Sequence, residues 1–598
     1  MLTVPPNQPK LLHMLPSSKA KNLAVLCLFA LMPLLAPASG QTQSAGYLIR
    51  QNLSGSPGGN LVTAISSDPS NFNSLMAGSY VTRIVAERLS ADLVHIDRET
   101  FELEPALAER WEVAKDGRTY TIHLRRGLRF SDGSPFDADD VVFSFQVLAD
   151  PRTDSVLGSQ AKIDGAYPAV SKIDANTVRL VFSRPVGMGL RCLDAIPMLP
   201  SRKLAKAFQE GKIASAWGPA AQPQDIAGLG PFRLKEYRRG EQVVLEHNPY
   251  YWKKDKSGQT LPYLDTITFV IIPDRNAEAL RFESGELDVV STLNAENYAS
   301  LRRSEKERNY TIRDLGPGLR VDYFWFNLNP GKDKSGRPFV DPQKRALFEQ
   351  AKFRQAVSGA LDRDGMARSI LLGLGTSQFG PISSGNKPWY KADTPRPPFD
   401  PARARELLAQ IGLKDTNSDG VLEFGEPRRP LEIDLLVPRG NAVRERSAEV
   451  IKENLSKIGI RVNLQPVLTN ELVGRLQENF NYEAILFGFT PTDVAPDLQI
   501  DVWYSSGKNH FWHPGQTKPE RPWEAEIDAQ ISRLVHSLDP AVRKTCFNRV
   551  QEIWADEMPA IATIAPHIIT GYTNRLGNLR PSILEPSTLW NAEELTKR

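Results

Sequence analysis

LEIDLLVPRGNAVRERSAEVIKENLSKIGIRVNLQPVLTNELVGRLQENFNYEAILFGF, residues 431–489, is the stretch whose reading decides the fold class. LEIDLLVP predicts a strand, AVRERSAEVIKENLSKIG a helix, and IRVNLQPV a second strand; ELVGRLQENFNYEAILFGF predicts a helix leading into a third strand. The order βαβαβ implies parallel strands covered by helices. Ligands of such sheets bind outside the carboxyl ends of the strands, which directs attention to the segment after Phe489.

Upstream, the chain mixes α and β. Strand pairs are expected in TVRLVFSRP and FRLKEYRRGEQVVLEHN, a strand in ITFVIIPD, and a short helix then a strand in RNAEALRFESGELDVV. RVDYFWFNLNP reads as an aromatic strand, PQKRALFEQAKFRQAVSGALDRDGMARSILLG as a long helical block, and PARARELLAQIG as a helix. In WEVAKDGRTYTIHLRRGLRFSDGSPFDADDVVFSF, residues 111–145, Tyr120, Ile122 and Leu124 alternate with polar positions, the period of a half-buried strand. The preceding Asp-Gly turn joins it to AERWEV as a hairpin. Asp137 is placed to cap a helix, with Asp139 and Asp140 at its positive end, so these carboxylates read as capping and solvent-facing groups.

A chain of 598 residues exceeds one ordinary core and calls for two or, more naturally, three domains. With 41% apolar and 24% charged residues it falls in the globular class, which excludes disordered and fibrous proteins. Its 73 basic and 70 acidic residues are interspersed, and a net charge of +3 gives no footprint for nucleic acid or an anionic membrane. Lys19 and Lys21 precede the apolar NLAVLCLFALMPLLAPA, which ends in small residues at Ala36 and Ala38. This pattern predicts a signal peptide over 1–38 and a mature chain in the periplasm. The alternative, a membrane anchor, is disfavoured by Pro33 and by a run shorter than the roughly 20 residues of a span. Cys27 follows Leu26 where a lipid-modified cysteine follows a small residue; Cys192 and Cys546 remain, and their pairing is open.

No serine elbow, phosphate loop or H-E-x-x-H helix occurs, and no acidic pair is singled out for glycoside chemistry, so no catalytic residue is assigned. His510 and His513 in NHFWHPG lack further ligands for zinc and read as members of an aromatic loop. DTNSDGVLEFGE places Asp415, Asn417, Asp419, Gly420 and Glu426 at positions 1, 3, 5, 6 and 12 of a calcium loop. A β-turn explains the same letters, because Asp and Asn cap their own backbone and a strand follows where an EF-hand has a helix. Calcium therefore stands as an alternative to a metal-free turn.

Several stretches together carry a resemblance: LEPALAERWEVAKDGRTYTIHLRRGLRFSDGSPFDADDVVFSF, GPFRLKEY, NPYYW, GELDVV, FNLN with KFRQAVSGALDR, and YEAILFGFTPTDVAPD. The chain resembles the family 5 extracellular solute-binding proteins, the dipeptide- and oligopeptide-binding components of ABC importers. The resemblance implies an α/β, two-lobed periplasmic binding protein fold (type II, cluster C-like) with an extra domain in the N-terminal lobe. It assigns 39–90, 226–318 and 570–598 to that lobe, 91–225 to the inserted domain and 319–569 to the C-terminal lobe, with crossings near Arg320 to Phe326 and Pro566 to Tyr572. It also implies a monomer that captures a short peptide or related solute and presents it to a membrane permease. An extracytoplasmic hydrolase and a periplasmic chaperone or receptor input are the alternatives.

Peptide-binding members of this family place an aspartate in a G-[WF]-x-x-D loop, where it pairs with the peptide ammonium. Here Gly488 and Phe489 are followed by Thr492 in the carboxylate's place, with Asp493 next. A hydroxyl does not replace a charge-assisted bond to a buried ammonium, so either the solute lacks a free amino terminus or Asp493 takes over after a one-residue shift. Asn71, Phe72 and Asn73 are candidates for the cleft rim, and Arg439 and Asn441 for a carboxylate or the solute backbone. Tyr323, Trp325, Phe489, Trp503, Phe511 and Trp512 offer flat apolar contact surfaces, Phe489, Trp503 and Trp512 being preferred.

Overall fold

The computed structural model describes residues 46–153 and 155–598. The expected signal peptide over 1–38 lies outside them. Among the described residues no helix is long and apolar enough to cross a membrane.

The stretch 431–489 folds as its periodicity requires. Strand Glu432–Pro438 lies parallel to both Arg461–Val467 and Ala484–Phe487, with Leu435 opposite Leu464 on one side and Ala484 on the other. Helix Ala442–Ser456 makes the first crossover, burying Ala448, Ile451 and Leu455. Two antiparallel strands, Tyr323–Phe326 and Ala560–Ala562, complete a five-stranded mixed sheet. Its core joins Phe324, Leu435, Ile485 and Trp554.

A second sheet has eight strands, seven of them in the order 310–317, 564–573, 289–290, 60–65, 266–271, 242–247, 232–238, with 375–377 also paired to 564–573. Phe232–Arg238 and Gln242–His247 form the antiparallel pair expected from FRLKEYRRGEQVVLEHN. The Asp-Gly hairpin is present as Ala108–Val113 against Thr119–Leu124, within a four-stranded sheet that also holds Thr177–Val181 and Ala169–Asp174. One apolar cluster fuses these two sheets, joining Leu61, Leu245 and Phe269 to Ile122, Leu180 and Phe182. The helical block after residue 341 divides into Pro342–Phe348, Ala351–Gly359 and Arg363–Ile370, because Asp362 caps a new helix start by accepting from the Gly365 amide at 2.7 Å.

The aspartates of the hairpin stretch act as caps, with one correction. Asp137 accepts from the Asp139 amide at 2.9 Å, and Asp140 accepts from the Asp137 amide at 3.0 Å, a reciprocal capping box. Asp140 is not solvent-facing: it is fully buried and also accepts from the amide and hydroxyl of Ser201 at 2.9 and 2.7 Å. Burial pushes its carboxyl above the ordinary range. The carboxylate thus ties the helix start to helix Ser201–Gln209.

The chain passes from the eight-stranded sheet to the five-stranded sheet and back, with Gly375–Ser377 of the intervening stretch also pairing with Ile564–Thr573. It leaves the eight-stranded sheet at Pro317 and enters the five-stranded sheet at Tyr323; it returns between Ala562 and Ile564. Residues 566–572 lie within the strand Ile564–Thr573 of the eight-stranded sheet, directly after this return. The two connections run side by side, the Thr563 amide donating to the Asp322 carbonyl at 3.0 Å and the Gly318 amide to the Pro566 carbonyl at 3.0 Å. Ile96, Leu319, Val494 and Leu584 form a small apolar cluster beside the first crossing.

Candidate functional site

A cavity of about 280 Å³ opens between the two lobes. Its walls come from both lobes and the first crossing: Leu293 and Ile569 from the eight-stranded side, Leu319 and Arg320 from the first connection, Val443 and Pro491 from the five-stranded side. Val443 and Pro491 follow the carboxyl ends of parallel strands, the position that such sheets reserve for ligands. Most of the wall is apolar, as in other small-molecule cavities. Tyr80 adds a phenol whose pKa burial pushes up to about 12, so it remains a neutral donor.

A smaller space of about 20 Å³, room for about one water, shares Leu319 and Pro491 with this cavity and lies under Tyr323, Phe489, Trp503 and Phe511. Phe489 is half-buried and stacks on Phe511 with centroids 6.0 Å apart. Trp503 is 2% exposed and spends its indole N–H on the Pro496 carbonyl at 2.9 Å. Tyr323 donates to the Pro381 carbonyl at 2.7 Å. These three expected residues thus edge a pocket, mostly with their apolar surfaces.

Others of the expected residues serve the fold. Phe72 is fully buried against Tyr237, with centroids 5.5 Å apart, and Trp325 and Trp512 are core residues. Trp512 donates its indole N–H to Glu524 at 2.7 Å. Asn71 donates to the Ala214 carbonyl at 2.7 Å, and Asn73 accepts from the Leu75 amide at 3.0 Å. Alternating apolar and polar letters look the same at a rim and at a buried turn, so sequence placed them at the cleft. Arg439 is exposed, and Asn441 caps its helix by accepting from the Arg444 amide at 3.1 Å. Thr492 is exposed and lines neither cavity.

Asp493 is buried, and its carboxylate is held by Arg191 from the segment after the four-stranded sheet, with contacts of 2.9 and 2.6 Å. Next to it Arg543 grips Asp497 and donates to the Gly187 carbonyl at 2.6 Å. Asp322, at the first crossing, receives Arg444 at 2.7 Å. Arg191 lies 302 residues from Asp493, and nothing in the local sequence announced it. Arg320, at the start of the first crossing, is half-buried on the wall of the larger cavity and was not among the residues expected there.

The 415–426 loop is wired as a turn. Asp415 accepts from the Gly420 amide at 2.9 Å, Asn417 from the Asp419 amide at 2.9 Å and Asp419 from the Val421 amide at 2.8 Å, while Glu426 is exposed. Among the described residues, the set of three metal-ligand side chains that converges is Asp92, His95 and Asp194, so Asp415, Asp419 and Glu426 do not gather around a common point. Cys192 and Cys546 are both buried and unpaired.

The model of the bacterial extracellular solute-binding proteins, family 5 Middle, matches residues 102–511, more than half of the chain. The chain belongs to this family. It has the family's two-lobed periplasmic binding protein fold and is the solute-binding component of an ABC importer. The chain is 28% identical over 515 residues to a probable ABC transporter-binding protein of Deinococcus radiodurans, covering 82% of this chain and 85% of the relative. It is 30% identical over 496 residues to the periplasmic alpha-galactoside-binding protein of Rhizobium meliloti, covering 78% and 69%. Among solved structures it matches the oligopeptide-binding protein AppA of Bacillus subtilis in complex with a nonapeptide, with a TM-score of 0.68, 26% identity, and coverage of 91% and 100%.

Proposed function

We propose that this protein captures a small solute in the interlobe cavity and releases it, chemically unaltered, to a membrane permease. The observation that carries this reading is a cavity walled by both lobes and the first crossing, since a change in a few crossing dihedrals would open it. The domain assignment follows: 91–225 as an insert in the first lobe, and 319–563 as the second lobe, with the return crossing at Thr563. Phe489, Trp503 and Tyr323 edge the smaller space that adjoins this cavity through Leu319 and Pro491, while Phe72, Trp325 and Trp512 are core residues. The protein works as a monomer in the periplasm after removal of its leader, and it is a binder rather than an enzyme, needing complementarity to the ground state.

The relatives have diverse cargo, a nonapeptide in one and an alpha-galactoside in another. The cavity here, about 280 Å³, lies at the lower edge of small-molecule sites, about 300–1,000 Å³, which favours a cargo shorter than a nonapeptide. The test is to purify the protein, release its bound solute by denaturation, identify it by mass spectrometry, and measure solution scattering with and without it. Stoichiometric recovery of one small solute and contraction on adding it back are expected; turnover of the solute or an unchanged scattering profile would reject the reading.

A further inference from the structure

The interlobe cavity carries one charge that the protein leaves unmatched. Of the ionisable side chains on its wall, Glu296 faces Arg446 at 3.4 Å, Glu585 meets Arg83 at 3.2 Å, and His567 pairs with Asp314 at 3.0 Å. Arg320 is half-buried on the same wall and has no hydrogen-bond or ion-pair partner among the described residues. Among the described residues, the buried carboxylates Asp493, Asp497 and Asp322 are taken by Arg191, Arg543 and Arg444. Two helices, Ala295–Ser304 and Ala442–Ser456, also begin at this wall, with Ala295 and Val443 lining the cavity. Their amino-terminal ends add positive potential.

Resting on the interlobe-capture reading, we propose that the solute is a small organic anion: an apolar body against Leu293, Leu319, Leu371, Val443, Ile568 and Ile583, and a carboxylate on the Arg320 guanidinium. A half-buried guanidinium without a protein partner is only partly hydrated, and a carboxylate would engage it through two parallel charge-assisted hydrogen bonds. A free ammonium, by contrast, would meet the same guanidinium and find the wall carboxylates Glu296 and Glu585 already paired. The chemical class is therefore a carboxylic acid without a nearby amine, of which an amino-blocked dipeptide is one member.

Isothermal titration of the full chain, freed of bound solute by dialysis, with N-acetyl-Leu-Leu, its carboxamide, and Leu-Leu amide as probes tests this. The acid is expected to bind roughly tenfold or more tighter than its carboxamide, with the cationic Leu-Leu amide weakest. Arg320→Gln should erase the difference between acid and carboxamide, and Arg320→Lys should retain part of it. Equal affinity for acid and carboxamide, a difference that survives Arg320→Gln, or no binding of any of the three overturns the proposal. Scattering with the natively recovered solute separates the two failures: contraction without an acid preference rejects the anion and keeps the capture reading, whereas no contraction with any ligand rejects the capture reading as well.

Discussion

Two patches of the interlobe face use arginine in opposite ways. On the side of the four-stranded sheet, Arg191 is matched across the lobes by buried Asp493, and Arg543 of the second lobe is matched by its own Asp497 while donating to the Gly187 carbonyl. In the cavity, Arg320 faces open space with no protein partner among the described residues. The Arg191–Asp493 pair ties the lobes together, whereas the half-buried Arg320 is left to water or to a group that enters the cavity.

The strongest way to break this comparison is Asp493→Ala. It strands Arg191, whose side chain is only 15% exposed, opposite an empty place. The expected loss is about 3–5 kcal/mol, read as a fall in the urea midpoint, with Arg320→Gln moving the same midpoint little. Equal effects from the two variants would dissolve the distinction between latch and anchor.

A buried ionisable group away from the interface sharpens the comparison. Burial, with Arg521 nearby, lowers the His513 pKa to about 4, although Glu520 lies 3.3 Å away; burial raises Glu520 as well. A histidine with a depressed folded pKa contributes stability above its unfolded value of about 6.5 and loses it as pH falls towards about 4. The protein should therefore lose roughly 3 kcal/mol over that window, seen as a falling urea midpoint, and His513→Gln should flatten the profile there.

The smallest effect belongs to Thr492→Asp. Because Thr492 is exposed and outside both cavities, the new carboxylate is expected to change free-amino dipeptide affinity by less than about 0.5 kcal/mol in titration. A large gain would mean that this loop does face a ligand ammonium and would shift the anchor away from Arg320.

The α/β class was legible because Ile433, Leu435 and Val437 alternate within a strand, and Ala448, Ile451 and Leu455 recur on one helix face. The hairpin and the Asp137 cap were legible for the same reason, since turns and caps are local. Asp140 was not: its second partner, Ser201, lies 61 residues away. Nor was the fate of Phe72 and Trp512, because an aromatic residue after a turn carries no mark that separates a rim from a core.

What the sequence determined by itself was most of the elements and the family, because periodicity, turn chemistry and caps act within a few residues. Only the tertiary structure decided which charges are matched. Asp493 meets Arg191, and Arg320 meets nothing among the described residues, because pairing across the lobes depends on where distant segments come to rest. Coulomb attraction and desolvation both act over a few ångströms of space, and chain separation does not measure that distance.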